Sequence, residues 1–383
     1  MKRLVFSLGV WSAVIFGTLS YGQVPGLFQP LLLGGSFSGG DLTGTSVYTA
    51  AQTIATGADA VPTAGGTLTI NSVSLGSYDY RVVTGNQTVS SFTNSDWFTT
   101  TADSRSAWVV IKGDLTINSG QTFIPSNRKL FTVVYVTGAC AITGSISMSA
   151  RGANHSAATG SNVAAAAIRI ATGTFSSVTN PEVPAAGAAG GASVTSDNLG
   201  NTGGAGSAGQ TGGGGSGSQD GVGGTSGAGA AGTSFSGGTA GGGSRLVSTA
   251  GGGAVDGGVG GAATSGAVTR STGGGSGNPG GAAFTGASGT SAAGGDGTGG
   301  VLIVICAGAL SSNGTITADG VAGGVASISS AGGSSGGGSV TVLYGTDTSS
   351  ITPTAAGGAA AVGDGGGHSG GAGGAGTARK LAL

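Results

Sequence analysis

FTVVYVTGACAITGSIS at residues 131–147 and VLIVICAGALSSNGTIT at residues 301–317 align without a gap at a constant offset of 170 residues. The match places Gly138 on Gly308, Gly144 on Gly314 and Ile146 on Ile316. Apolar, β-branched runs bounded by Gly, Ser and Asn read as strands. Two near-copies predict strand units lying side by side in one sheet or solenoid, with the residues between them forming an excursion that leaves and rejoins neighbouring strands. The alignment also sets Cys140 on Leu310 and Cys306 on Val136, so both thiols fall on one buried face. Four positions along a straight strand span about 13 Å, beyond the Cα separation a disulfide tolerates. The expectation is two buried free thiols.

Outward from this pair, GTLTINS at 66–72 recurs as GDLTINS at 113–119, with Leu68 and Ile70 matching Leu115 and Ile117 on one side of a strand. Period-two apolar positions such as Trp108 and Val110, or Val134 and Val136, extend the strand signal. The chain divides by composition. Residues 1–22 read as an export signal: Lys2 and Arg3, an apolar run from Leu4 to Phe16, then Ser20, Tyr21 and Gly22 as a small-residue cleavage site. An uncleaved anchor is the alternative, although the run is shorter than a spanning helix needs. Residues 23–106 hold most aromatics, among them Tyr78, Tyr80, Trp97 and Phe98, and read as a strand-rich N-terminal domain. Residues 107–184 are a β scaffold, 185–300 are glycine-rich, 301–350 return to the scaffold, and 351–383 form a glycine-rich tail. No amphipathic helix is evident.

Glycine supplies 88 of 383 residues, against 13 Lys+Arg and 14 Asp+Glu, for a net charge of -1. Charge-driven disorder fits poorly with so little charge and a positive mean hydropathy. The lack of a basic cluster removes nucleic acid as a partner. Glycine recurs every third residue from Gly200 to Gly227, interrupted at Ser218, and again at Gly367, Gly370, Gly373 and Gly376. That period matches a polyproline-II-like helix, whose glycine edge lets neighbouring segments approach and hydrogen-bond. Collagen is excluded, since Pro279 is the only proline between Ala185 and Gly300. A flexible Gly/Ser linker is the bland alternative; the length, the threefold step and the apolar Phe235, Leu246, Val247 and Phe284 argue against it. The expected fold is mostly β, with solenoid-like or sandwich strands and an inserted glycine-rich, polyglycine-II-type helical bundle.

A strand scaffold interrupted by glycine-rich segments resembles glycine-rich bacteriophage tail-fibre adhesins and receptor-binding proteins. GSIS from Gly144, GTIT from Gly314 and GGGSVTVLYG from Gly336 to Gly345 carry the resemblance, which covers residues 113–383. It implies a glycine-rich bundle whose interrupting segments touch a host surface receptor or polysaccharide. The contact residues would be Phe235, Arg245, Leu246, Val247, Arg270 and Phe284, on a virion or cell surface and as a homo-oligomeric trimer or fibre. The export signal departs from that pattern and keeps a secreted bacterial cell-surface adhesin beside it.

Catalytic patterns are weak. GHSGG at 367–371 fits a nucleophile elbow around Ser369, but the elbow needs a strand before it and a helix after it, and GGSSG at 332–336 arises from the same composition. His155 and His368 lie far apart and the cysteines lack ligand spacing, so no metal or cofactor is expected. A polysaccharide-cleaving spike would draw on Asp96, Asp103 or Asp114 as converging acids. Thr67/Thr69 and Thr315/Thr317 are the pairs that an ice-binding surface would use, too few in sequence to make an array. The reading is a non-enzymatic structural or adhesive protein.

Overall fold

The computed structural model describes residues 37–90, 97–98, 105–152, 166–184, 228–241, 252–253, 264–265, 299–324, 333–362 and 370–383. Residues 34–383 form one compact unit, distinct from residues 1–33. The export signal lies outside the described residues.

The protein is mostly β, as expected. In chain order the elements are β1 (Leu42–Gly44), α1 (Val47–Ala55), β2 (Ala60–Ile70), β3 (Val73–Thr84), β4 (Gln87–Val89), β5 (Ser106–Lys112), β6 (Leu115–Ile117), β7 (Thr122–Phe123), β8 (Thr132–Val136), β9 (Cys140–Ile142) and β10 (Ser145–Ser147). Three short pairs follow: β11 (Ile168–Arg169) with β14 (Glu182–Val183), β12 (Thr174–Phe175) with β13 (Val178–Thr179), and β15 (Gly252–Gly253) with β16 (Thr264–Ser265). The last elements are β17 (Val301–Ser311), β18 (Thr315–Thr317), β19 (Ser339–Asp347) and β20 (Thr377–Ala382).

Strands β3, β5, β8, β17, β19 and β20 lie in parallel, neighbour to neighbour. A second parallel ladder runs β4, β6, β9 and the end of β17, and a third runs β7, β10 and β18. The chain therefore passes through the ladders in tiers: β5–β6–β7, then β8–β9–β10, then β17–β18. The offset of 170 residues is the observed register, pairing Val134 with Val304, Cys140 with Leu310 and Ile146 with Ile316. The excursion leaves after β10 and returns beside β8.

The glycines repeated in the alignment mark the corners between ladders. Gly113, Gly138 and Gly308 stack tier on tier, Gly138 N–H donating to Gly113 O (2.9 Å) and Gly308 N–H to Gly138 O (2.8 Å). A Cβ on any of them would overlap the backbone of the tier before it. Here the free-thiol expectation fails: Cys140 and Cys306 form a disulfide, with Cα atoms 5.9 Å apart. The register was read correctly, but the strand is not straight. The chain bends at residues 137–139 and 307–309, so two side chains separated along a flat strand meet across the inside of a corner.

Parallel strands covered on both faces carry continuous apolar runs, and β5, β8 and the first half of β17 are buried at almost every residue. Period-two reading captured only one face. Inside the tiers lie Leu115, Ile117, Phe123, Val134, Ile142, Val304 and Ile316; against the outer face of the first ladder pack Trp108, Val133, Tyr135, Ile303 and Ile305. Helix α1 covers that outer face and corrects the statement that no amphipathic helix is present. Val47, Ala50, Ala51 and Ile54 are its buried stripe, and a capping box joins Ser46 and Thr49: Thr49 N–H donates to Ser46 Oγ (3.2 Å) and Ser46 N–H to Thr49 Oγ1 (2.9 Å). Repeats of similar wording take different roles. GTLTINS lies in β2, antiparallel to β3, whereas GDLTINS lies in parallel β6, yet Leu68, Ile70, Leu115 and Ile117 are all buried.

The predicted domain boundary at residue 106 is crossed by the pairing of β3 with β5, and the C-terminal tail ends in β20, part of the main sheet. The free side of β20 is partly covered: Ala382 N–H donates to Ser176 Oγ (2.7 Å), and Thr377 Oγ1 to Ser236 O (2.8 Å).

Candidate functional site

The described residues just before β17 (299–300), β19 (333–338) and β20 (370–376) are glycine-rich strings outside any strand, and they pack with others at 228–241, 318–323 and 355–361. Segment 333–338 illustrates the arrangement. Ser334 and Gly337 donate to Gly371 and Gly374, while Ser335 and Gly338 donate to Val321 and Ala318. Its carbonyls accept from Gly238, Gly241, Gly299 and Gly358. Bonds leave the segment toward neighbours on several sides rather than in one plane. The step is three residues throughout: Gly229 and Gly232 donate to Ala372 and Ala375, and Gly370, Gly373 and Gly376 donate to Ala361, Gly358 and Ala355. The expected glycine step at 370, 373 and 376 is thus a hydrogen-bonding step. The matching series from Gly200 to Gly227 lies outside the described residues.

Close approach explains the composition. A Cβ on Gly338 would run into Gly300 O, on Gly373 into Ser335 O, and on Gly374 into Ala230 O. Backbone must lie where a side chain would be. The serines of GGSSG are drawn into the same packing: Ser334 and Ser335 are fully buried, and Ser334 Oγ donates to Ala359 O (2.5 Å). They are structural hydroxyls. Ser369 and His368 lie outside the described residues.

Phe235 was expected at an exposed tip. It is instead buried (7% exposed), packed in the outer core with the Arg379 guanidinium 5.3 Å from its ring. Arg379 is held there by donation from Nε to Ser234 O (2.8 Å). Arg245, Leu246, Val247, Arg270 and Phe284 lie outside the described residues, as do Asp96 and Asp103. Asp114 accepts from Ala139 N–H (2.8 Å), tying one corner to the next. That contact gives Asp114 a positioning role in the fold.

Sequence reading missed an aromatic cluster in which Tyr80, Trp97, Phe98 and Trp108 line a shallow dimple, with Asp79 at its wall. It has no room for a water-sized sphere, and so none for the small molecules that occupy enclosed sites. Asp79, 2% exposed, pairs with Arg105 (2.8 Å) and with the fully buried Lys129 (3.7 Å). The buried carboxylate, set between two cations, holds β3 to the segments that lead into β5 and β8. The spacing of Asp79, Arg105 and Lys129 in sequence gives no hint of the cluster; the parallel register makes it.

Among the described residues no group of three or more His, Cys, Asp or Glu could hold a metal ion, and no helix is long and apolar enough to cross a membrane. No family model matches the chain, and no curated protein or solved structure matches it either.

Proposed function

We propose that this is a non-enzymatic structural and adhesive surface protein, a solenoid-like stack of strands extended by a glycine-rich bundle of polyglycine-II type. The observation that carries this reading is the three-residue ladder from Gly370, Gly373 and Gly376 to Ala361, Gly358 and Ala355, at spacings where side chains do not fit. Three residues per turn and lateral backbone bonding are the properties of that helix class. So much glycine loses a large backbone entropy on ordering. A polymer with this cost is suited to a stiff surface support, with interrupting segments as contacts for a receptor or polysaccharide.

The tail-fibre resemblance assigns those contacts to Arg245, Leu246, Val247, Arg270 and Phe284. The Cys140–Cys306 bridge favours the exported, bacterial-surface form of the reading, because disulfides persist in oxidising compartments and are rare in the cytosol where virions assemble. Fluorescently labelled protein is expected to decorate bacterial cells, and the R245A/R270A/F284A variant to lose decoration with an unchanged circular dichroism spectrum. Equal decoration by wild type and variant would remove the contact assignment. Release of new reducing ends from capsular polysaccharide, abolished by D96N/D103N, would replace adhesion with cleavage.

A further inference from the structure

The third ladder presents hydroxyls in register. Thr122, Ser145 and Thr315 are neighbours across β7, β10 and β18, and Ser147 pairs with Thr317, which bridges to Thr354. Their alternation with the buried Phe123, Ile146 and Ile316 directs the first rank outward. Thr122, Thr315 and Thr354 are exposed, whereas Ser147 sits beneath Ser149. The hydroxyls fix one another: Ser145 Oγ donates to Thr122 Oγ1 (2.8 Å), and Thr317 Oγ1 to Ser147 Oγ (2.9 Å). The second ladder adds Thr88, Thr116, Ala141 and Ser311 in one file. Neither file contains a charged residue, and the one carboxylate at the margin, Asp319, is occupied by Thr354 Oγ1 (3.1 Å) and Ala356 N–H (2.6 Å). Only Thr315/Thr317 could be seen as a pair in sequence; its partners Ser145/Ser147 stand 170 residues away and are not threonines, while Thr67/Thr69 falls in the antiparallel β2.

We infer that this face binds ordered water at the surface of ice. Parallel strands repeat at about 4.8 Å across a sheet and alternate residues at about 6.6 Å along it, giving a two-dimensional grid of small hydroxyl and methyl groups. The cross-strand repeat lies close to the oxygen repeat in hexagonal ice. A packed interior and the disulfide behind the neighbouring ladder keep the grid rigid, so little ordering is lost on contact. A sugar polymer is the less suitable occupant. Sugars gain from apolar faces laid on aromatic rings, and the nearby Trp97, Phe98 and Phe123 rings are buried. The inference rests on the strand stack and not on the receptor contacts, so the two fail separately.

The test uses full-length protein grown into an ice hemisphere and assayed for slowing of ice recrystallisation. Wild type is expected to enter the ice and hold crystals small. T122K/T315K should lose both effects at an unchanged melting temperature, and V61K, at an exposed site on β2, should keep them. Exclusion of wild type from ice, full activity of T122K/T315K, or equal loss in V61K would each overturn the inference. So would capture on insoluble chitin or cellulose that the same double substitution abolishes.

Discussion

The strand tiers and the glycine strings solve one problem in two ways. Both satisfy backbone donors and acceptors by bonding sideways to other segments. In the tiers each strand bonds to neighbours within its sheet, leaving two faces for side chains, and stability comes from the apolar surface those faces bury. In the strings the bonds leave on several sides, so backbone occupies the places that side chains would take. One region is specified by which side chains it has, the other by where it has none.

The disulfide gives the largest way to break the comparison, because it pins the second tier to the third and closes a loop that contains the excursion. The C140A/C306A variant is expected to lose about 5 kcal/mol in the chain-entropy treatment of so long a loop, read by denaturant unfolding. Amides of both 302–306 and 334–338 should exchange faster. Loss confined to the strings would mean that they hang on the bridge without help from the tiers. Next is the interior of the tiers: F123A removes a fully buried ring packed on Trp97 (5.2 Å) and Phe98 (5.1 Å), and should cost about 3–5 kcal/mol.

The comparison sharpens when one substitution is made at two glycines. G338A places a methyl against the Gly300 carbonyl and should cost about 1–3 kcal/mol, more if the neighbouring strings cannot give way. G40A meets nothing within 4 Å and should be neutral or stabilising by about 0.4–1 kcal/mol through the unfolded chain. Equal melting temperatures for the two would contradict close packing of the strings. The smallest effect is electrostatic. Partial burial pushes the Asp347 carboxyl up, but hydrogen bonds from Lys380 and Ser349 and the Lys380 charge outweigh it and hold its pKa below the ordinary value. Its contribution is therefore present above the unfolded carboxylate pKa and lost as pH falls through the lower folded one. D347N should flatten the stability profile below about pH 4, by no more than the roughly 0.5–1 kcal/mol of a surface pair.

Legibility in the sequence followed the range of the interactions. The 170-residue offset was readable because parallel stacking repeats side chains and corner glycines at equal places. The step of three was readable because each glycine in it answers a local steric demand. Corner angles were not readable, and with them went the disulfide: spacing along a chain says nothing about where it bends. Phe235 lay in a glycine-rich stretch and so looked exposed, yet its cover comes from Arg379, far along the chain. Helix α1 could have been found from Val47, Ala50, Ala51 and Ile54 after Ser46, a short 3–4 pattern masked by alanine and threonine. The Asp79 cluster and the hydroxyl grid depend on register between distant strands.

One file of residues runs through the whole stack: Arg81, Val109, Val134, Val304, Val342 and Lys380. Four valines are enclosed by two cations. Arg81 lies over the Trp97 ring, and Lys380 bonds to Asp347 and to Ile351 O. Beyond Arg81 the sheet already continues, with β2 antiparallel to β3 and β1 beside β2, so a further parallel tier could be laid only on β20, where it would have to cover Lys380. The row is thus bounded on one side by a strand that turns back and on the other by a tethered cation.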